Sequence, residues 1–209
     1  MNKLFLKPAN KLITINSNLY TCNVENQRLF RMLSIDVLNN IVFSINDVPI
    51  SDKSIYLLYN PFKIDINDPK LIKFLFKNLE KEIRQSEITI INDIEIKTIE
   101  LLEKLSIICE HQLDFNLTFD LPKFFNAIGV CYKIPDSYLE KLVMFIKLIV
   151  EITKCTLIIS FGLLRLLDEN EIVLLKKELY NLNIYIIDIN YIEKNIKSDI
   201  IIDKEWCVL

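Results

Sequence analysis

Two apolar runs without alternation frame a predicted helix in the C-terminal half of the chain, at residues 156–161 and 184–187. Such runs are typical of parallel strands that are buried on both faces. Between them, Asp168 and Glu171 have the spacing of a capping box, which predicts the start of a helix. A strand, a helix and a second strand of this kind form a crossover unit. The pattern therefore predicts an α/β layer.

The remaining patterns divide the chain into strand-rich ends and a helical middle. Expected strands cover residues 3–7, 11–15, 41–45, 54–59, 88–91, 199–202 and 206–209. Expected helices cover residues 25–39, 69–84, 93–112, 120–129 and 137–154, besides the one that begins at Asp168. The sequence thus predicts an α/β head with a mainly parallel sheet from residues 1–68 and 136–209. An all-helical leg is expected as an insertion at residues 69–135.

Composition favours a folded protein with one large core, since 51% of the 209 residues are hydrophobic. The formal net charge of -3 gives no overall attraction to polyanions, so a nucleic-acid surface would need locally sorted charges. Five scattered cysteines without a C-x-x-C pair indicate buried free thiols in a reducing compartment. Neither a signal peptide nor a membrane span is indicated, and a soluble cytoplasmic protein is expected.

Motifs for common catalytic chemistry are missing. No glycine-rich phosphate loop with its lysine can be formed, because Gly129 and Gly162 are the only glycines. A single histidine, His111, leaves no ordinary nucleophile–base arrangement, and its neighbours favour a structural role. Asp188 follows an apolar run in the manner of a magnesium-binding aspartate, although a structural role is the simpler interpretation. We therefore expect no enzymatic activity, with a nucleotide-dependent α/β enzyme and a protein-interaction scaffold as alternatives.

One helix carries a regular row of cations. At about 100° per residue, these side chains fall within a sector roughly 80° wide on the helix at 69–84, opposite its apolar side. They are Lys70, Lys73, Lys77, Lys81 and Arg84. A solvated surface explains the row in the simplest case. The functional interpretation is a track for the phosphates of DNA, which lysines bind without reading sequence.

Acidic residues gather at the end of the second leg helix and in the segment after it, at Glu110, Asp114 and Asp120. Oxygen ligands at irregular spacing suit calcium better than a redox metal. A solvated loop is the alternative, since no EF-hand loop is present.

Several segments, taken in order, resemble one protein family. They are residues 55–58, the helix at 69–84, residues 109–115, 128–130 and 157–160, residues 167–171, and residues 203–206. Over about residues 40–209 the chain is similar to the Csn-two family, the accessory spacer-acquisition proteins of type II-A CRISPR systems.

This resemblance implies a specific function. Members have an α/β head related to phosphate-loop folds, without nucleotide hydrolysis, and a helical leg. They form homotetrameric rings whose basic channel admits the ends of double-stranded DNA, and calcium in acidic pockets supports the ring. The implied partners are the spacer integrase complex and the RNA-guided effector nuclease. Gln112 and Asn116 stand where more carboxylates are expected, which weakens the implied calcium site.

Overall fold

The computed structural model describes residues 2–108, 120–191, 199–205 and 207–208, and these residues form two compact units. The sheet unit comprises residues 1–65 and 135–209, and the helical unit comprises residues 66–134. The expectations for Glu110, His111 and Asp114 lie outside the described residues. The chain is an α/β protein, with a five-stranded parallel sheet in the first unit and an all-helical second unit.

The sheet unit contains all the described strands. These are β1 (Asn2–Leu6), β2 (Lys11–Ile15), β3 (Leu19–Val24), β4 (Ile41–Ile45), β5 (Val48–Pro49), β6 (Ile55–Leu58), β7 (Leu157–Phe161), β8 (Tyr185–Tyr191) and β9 (Ile200–Ile202). Its helices are α1 (Gln27–Ile35), α2 (Val37–Asn40), α6 (Tyr138–Thr153) and α7 (Glu169–Leu182). Three short 3-10 turns complete it: one at Asp52–Ser54, turn A (Pro61–Lys63) and turn B (Leu163–Leu166).

A five-stranded parallel sheet in the order β6-β7-β8-β3-β9 is the centre of the sheet unit. The predicted β7–α7–β8 crossover is confirmed, with β7 and β8 paired in parallel. The capping box of Asp168 and Glu171 starts α7 as expected. Strand β3, which lies between β8 and β9, was not predicted from the sequence.

Side chains alternate between the two faces of a strand, so neighbouring residues of the parallel sheet pack against different layers of the sheet unit. Leu157 and Ile159 pack in one cluster with Leu4 and Phe43 of the antiparallel sheet β2-β1-β4-β5. Helix α6 covers the opposite face, where its Phe145 meets the ring of Tyr56 on β6 at 6.1 Å. Ser160 and Asp188 lie on this second face, two residues along from Ile158 and Ile186.

The helical unit consists of α3 (Pro69–Ser86), α4 (Ile88–Ile108) and α5 (Leu121–Ala127). Its core joins Phe76, Ile91, Leu121 and Phe125. The strand expected at residues 88–91 is wrong, because the carbonyl of Glu87 accepts hydrogen bonds from the amides of Ile90 and Ile91 and starts α4 there. Gly129 ends the α5 region with φ at +72°, as its expected role at a helix end requires.

Two further expectations differ from the structure. The helix expected at residues 25–39 breaks at Asp36, whose φ of -140° separates α1 from α2. Strand β8 continues past the expected apolar run at residues 184–187 and ends at Tyr191. Of the described cysteines, Cys22 and Cys155 are buried as free thiols, whereas Cys131 and Cys207 are exposed, so the expectation of burial is wrong for the latter two.

Candidate functional site

The cationic row lies on α3, whose start follows from its sequence. The Asp68 side chain accepts a 2.9 Å hydrogen bond from the amide of Lys70, and Pro69 occupies the first turn, where its missing N–H costs nothing. The opposite side of α3 is anchored by Phe76 in the core of the helical unit, with Leu75 and Leu79 packed against it. The anchored apolar side fixes which side of the helix faces solvent.

All five predicted cations of α3 are exposed, and we call them the cationic face: Lys70, Lys73, Lys77, Lys81 and Arg84. Within the described part of the chain, Arg84 is the member of this face that forms an ion pair. Its Nε and one terminal nitrogen donate to Oε1 of Glu80 at 3.0 and 2.9 Å. The lysine ammonium groups remain available to an external anion. The structure therefore brings the predicted residues together on one accessible surface.

Of the three predicted calcium ligands, Asp120 lies within the described residues and caps α5. Its Oδ1 accepts a hydrogen bond from the amide of Lys123 at 3.0 Å, and its Oδ2 pairs with the ammonium group of Lys123 at 2.9 Å. The side-chain bond to Lys123 is the main reason why the pKa of Asp120 is lowered. Among the residues that the structure describes, no three carboxylate, cysteine or histidine groups cluster in a metal site. The calcium site stays a prediction.

A second polar cluster lies within the parallel sheet and was not predicted as such. The carboxylate of Asp188 is fully buried and accepts four hydrogen bonds. Ser160 Oγ and the Leu163 amide donate to Oδ1 at 2.7 and 2.8 Å, and the Leu164 amide and Asn190 Nδ2 donate to Oδ2 at 3.0 Å each. Two of these donors are the first amides of turn B. Asp188 thus holds turn B at the end of β7, which is the structural role expected for it.

Burial and the charge of Asp188 also raise the pKa values of two other groups, Cys22 and Tyr138. The pKa of Cys22 is raised to about 12, chiefly because the thiol is buried and secondly because of the charge of Asp188. The same two causes, in the same order, raise the pKa of Tyr138 to about 12. Both groups therefore stay protonated at neutral pH. Tyr138 donates its hydroxyl proton to the carbonyl of Pro61 at 2.8 Å, which holds turn A.

Residues in the connection between β3 and α1 form hydrogen bonds with other residues of the chain. In open parallel sheets, ligands bind outside the carboxyl ends of the strands. Here the amide of Glu25 donates to the carbonyl of Ile202, and Asn26 joins the amide of Leu29 to the carbonyl of Lys204. No glycine lies in this connection. The amides of Glu25 and Leu29 at this corner are therefore engaged within the protein and are not available to a phosphate.

The residues around Asp188 were missed by sequence reasoning for a physical reason. Ser160 and Asn190 look like ordinary polar positions, and only the alignment of β7 with β8 places Ser160 beside Asp188. The one available signal was the alternation of Asp188 and Asn190 at a spacing of two residues. That spacing puts both side chains on the same face of β8.

No protein-family model and no curated protein matches the chain. Among solved structures, it is similar to cbiO1 from Clostridium perfringens, part of the ABC transporter complex cbiONQ. That match has 14% identity and a TM-score of 0.41, and covers 96% of this chain and 79% of the other. No described helix is both long and apolar enough to cross a bilayer.

The expectation that the chain is not an enzyme does not hold: the solved structure to which it is similar, a part of an ABC transporter complex, gives that exclusion no support. The absence of a glycine-rich phosphate loop was the reason for the exclusion, and it does not rule out other catalytic sites on an α/β sheet. A match of this distance assigns no activity to the chain. The fold class, an α/β protein with a parallel sheet, rests on the strand pairing of the chain itself.

Proposed function

We propose that the chain binds double-stranded DNA through the cationic face of α3. The observation that carries the proposal is the arrangement of that face: five exposed cations on one side of a helix whose other side is anchored in a core. From Lys70 to Arg84 they extend about 21 Å along the helix axis, at 1.5 Å per residue. This length matches several successive phosphates of a duplex.

The charges of this face favour binding without sequence readout. Four of the five cations are lysines, which act as compact point charges toward phosphate, whereas arginine is the usual reader of base edges. Arg84 is partly neutralised by Glu80, so the lysines supply most of the free positive charge. With an overall charge of -3, the protein binds a polyanion only through such a sorted surface.

The biological setting that we propose follows from the resemblance to the Csn-two family. The chain then acts at the ends of double-stranded DNA during CRISPR spacer acquisition, as a homotetrameric ring in the cytoplasm. Its partners in that setting are the spacer integrase complex and the RNA-guided effector nuclease. Calcium bound near Asp120 supports the assembly, with Glu110 and Asp114 as the further ligands.

Charge reversal on α3 tests the proposal. The double variant Lys73→Glu, Lys77→Glu should lose retention of a linear duplex in a gel-shift titration at low salt. A matched control is Lys176→Glu, Lys177→Glu on α7, which makes the same change in net charge at two exposed lysines of the sheet unit. Equal duplex affinity of the α3 variant and the wild type would remove the cationic face from the binding surface.

A separate experiment tests whether the proposed ring takes up DNA through a free end, by comparing linear with circular duplexes. A linear duplex should bind, whereas a relaxed, covalently closed circle of the same sequence should not. Equal affinity for both forms would leave DNA binding intact and refute the ring as the way in which DNA is engaged.

A second candidate, a nucleotide-dependent α/β enzyme, is favoured by the buried polar groups of the parallel sheet. Asp188, Ser160 and Asn190 lie under its carboxyl edge, where α/β proteins bind ligands. The Oδ1 of Asn190 is buried without a hydrogen-bond partner, so one polar atom there remains unused. Calorimetric titration with ATP and magnesium tests this candidate. Heat of binding that disappears in Asp188→Asn would support it, and no detectable heat in the wild type would reject it.

A further inference from the structure

An exposed aromatic surface lies at the carboxyl edge of the parallel sheet, in the sheet unit, whereas the cationic face belongs to the helical unit. Tyr59 follows β6 directly and is 53% exposed, and Phe62 in turn A is 70% exposed. Turn A also carries the exposed Lys63, and turn B carries the exposed Arg165. Turns A and B contact each other, so the four side chains belong to one surface of the sheet unit. We call it the aromatic edge.

The ring of Tyr59 is positioned by stacking on the ring of Phe161. It lies parallel to the ring of Phe161, with 5.6 Å between centroids and 2° between planes. Phe161 in turn meets Phe30 edge-on at 6.2 Å, and Phe30 contacts Tyr191 at 5.7 Å. One face of Tyr59 is thus used inside the protein. Because more than half of the residue is exposed, its other side is open to a planar ligand.

Hydrogen bonds to other residues of the sheet unit hold both turns of the aromatic edge in place. The hydroxyl of Tyr138 holds turn A through the carbonyl of Pro61, and the carboxylate of Asp188 holds the first two amides of turn B. Arg165 is itself oriented, since it donates to the carbonyl of Tyr191 at 2.6 Å. A surface already held in place loses little conformational entropy when a ligand binds.

We propose that the aromatic edge binds single-stranded nucleic acid, with unpaired bases stacked on Tyr59 and Phe62. Proteins bind single strands by combining aromatic rings for the bases with cations for the backbone, and the edge offers both. Bases inside a duplex are already stacked and cannot reach an exposed ring. Lys63 and Arg165 supply the positive charge for the phosphates. This site is independent of the duplex contact proposed for α3.

Binding of a fluorescent twelve-nucleotide oligo(dT) tests the proposal by polarisation at low salt. Wild-type protein should bind, and Tyr59→Ala and Phe62→Ala should each weaken binding about tenfold, because each removes one base stack. Tyr59→Phe keeps the ring and should retain the affinity. Tyr180→Ala is the matched control, since Tyr180 is 76% exposed and lies on α7; it should change nothing.

Two further variants test the contribution of positive charge to oligo(dT) binding. Lys63→Gln and Arg165→Gln should each reduce the salt dependence of oligo(dT) binding by about one phosphate contact. All measurements are repeated in the Lys73→Glu, Lys77→Glu protein, so that failure of the duplex proposal and failure of this one are distinguished. No binding of oligo(dT) by the wild type would overturn the proposal. So would unchanged affinity in folded Phe62→Ala and Tyr59→Ala proteins.

Discussion

The hydroxyl of Ser160 donates a 2.7 Å hydrogen bond to the carboxylate of Asp188 across the paired strands β7 and β8. Both residues are completely buried. The bond is one of four that the carboxylate accepts, so the buried charge is compensated by donors on every side. A carboxylate used in this way is a structural element first.

We expect Asp188→Asn to lower the free energy of unfolding by about 2–3 kcal/mol, because an amide group would face donors that then lose their acceptor. Ser160→Ala should cost about 1 kcal/mol, since the carboxylate keeps three other donors. Urea denaturation measures both. Val173→Ala, at a residue that is 66% exposed, is the control and should stay within about 0.5 kcal/mol. A stable Asp188→Asn protein would contradict the structural role.

Alkaline pH should destabilise the sheet unit through Cys22. Burial raises the pKa of this thiol from 9.0 to about 12, so the folded state keeps a proton that the unfolded state loses. The stabilisation is therefore complete below pH 9 and is lost as the pH rises from 9 towards 12. The loss is at most about 1.4 kcal/mol per pH unit.

The control for this pH dependence is Cys22→Ala, which keeps a small apolar side chain and removes the titrating group. Its free energy of unfolding should fall less steeply than that of the wild type above pH 9. Tyr138 titrates in both proteins and cancels from the comparison. Parallel curves for the two proteins between pH 9 and pH 11 would show that Cys22 does not stay protonated in the folded state.

Removal of Glu80 should strengthen duplex binding. In Glu80→Gln, Arg84 loses its ion pair and the cationic face loses an adjacent negative charge. We expect the dissociation constant to fall about two- to threefold at low salt, and the gain should vanish at high salt. Stability should change by less than about 0.5 kcal/mol, because exposed ion pairs contribute little. Glu178→Gln, which breaks the Lys147 pair in the sheet unit, is the control. Weaker DNA binding by Glu80→Gln would count against the cationic face.

Calcium binding can be tested at Asp120 without loss of the helix cap. Asparagine caps a helix as well as aspartate does, so Asp120→Asn removes the charge alone. If calcium binds here, Asp120→Asn should reduce the rise in melting temperature that calcium causes. Lys123→Ala should increase it, because the ammonium group of Lys123 competes with calcium for Oδ2 of Asp120. Equal calcium shifts in all three proteins would place any calcium site elsewhere.

The sequence was sufficient where an element carries its own signals. Asp68 and Pro69 predicted the start of α3, and the apolar runs on either side of Asp168 predicted the β7–α7–β8 crossover. Both predictions succeeded because helix caps and hydrophobic periodicity are local features of a sequence. Strand β3 was missed since its six residues mix polar and apolar types. Cys22 and Val24 pack in the core, whereas Asn23 is buried on the other face. That division depends on the strands beside it, which no local pattern contains.

The candidate sites show the same division. The cationic face follows from helical spacing alone, so the sequence placed it. The surroundings of Asp188 depend on the pairing of β7 with β8, and the aromatic edge depends on the contact between two turns about 100 residues apart in the chain. Such non-local arrangements are visible only once the sheet has formed.

The salt dependence of duplex binding measures phosphate contacts most directly. Each contact adds about 0.9 to the slope of log K against log salt concentration, so Lys73→Gln, Lys77→Gln should reduce the slope by about 1.8 per protomer. Lys176→Gln, Lys177→Gln should leave the slope as it is in the wild type. If the α3 variant and the wild type give parallel lines, the cationic face does not contact DNA.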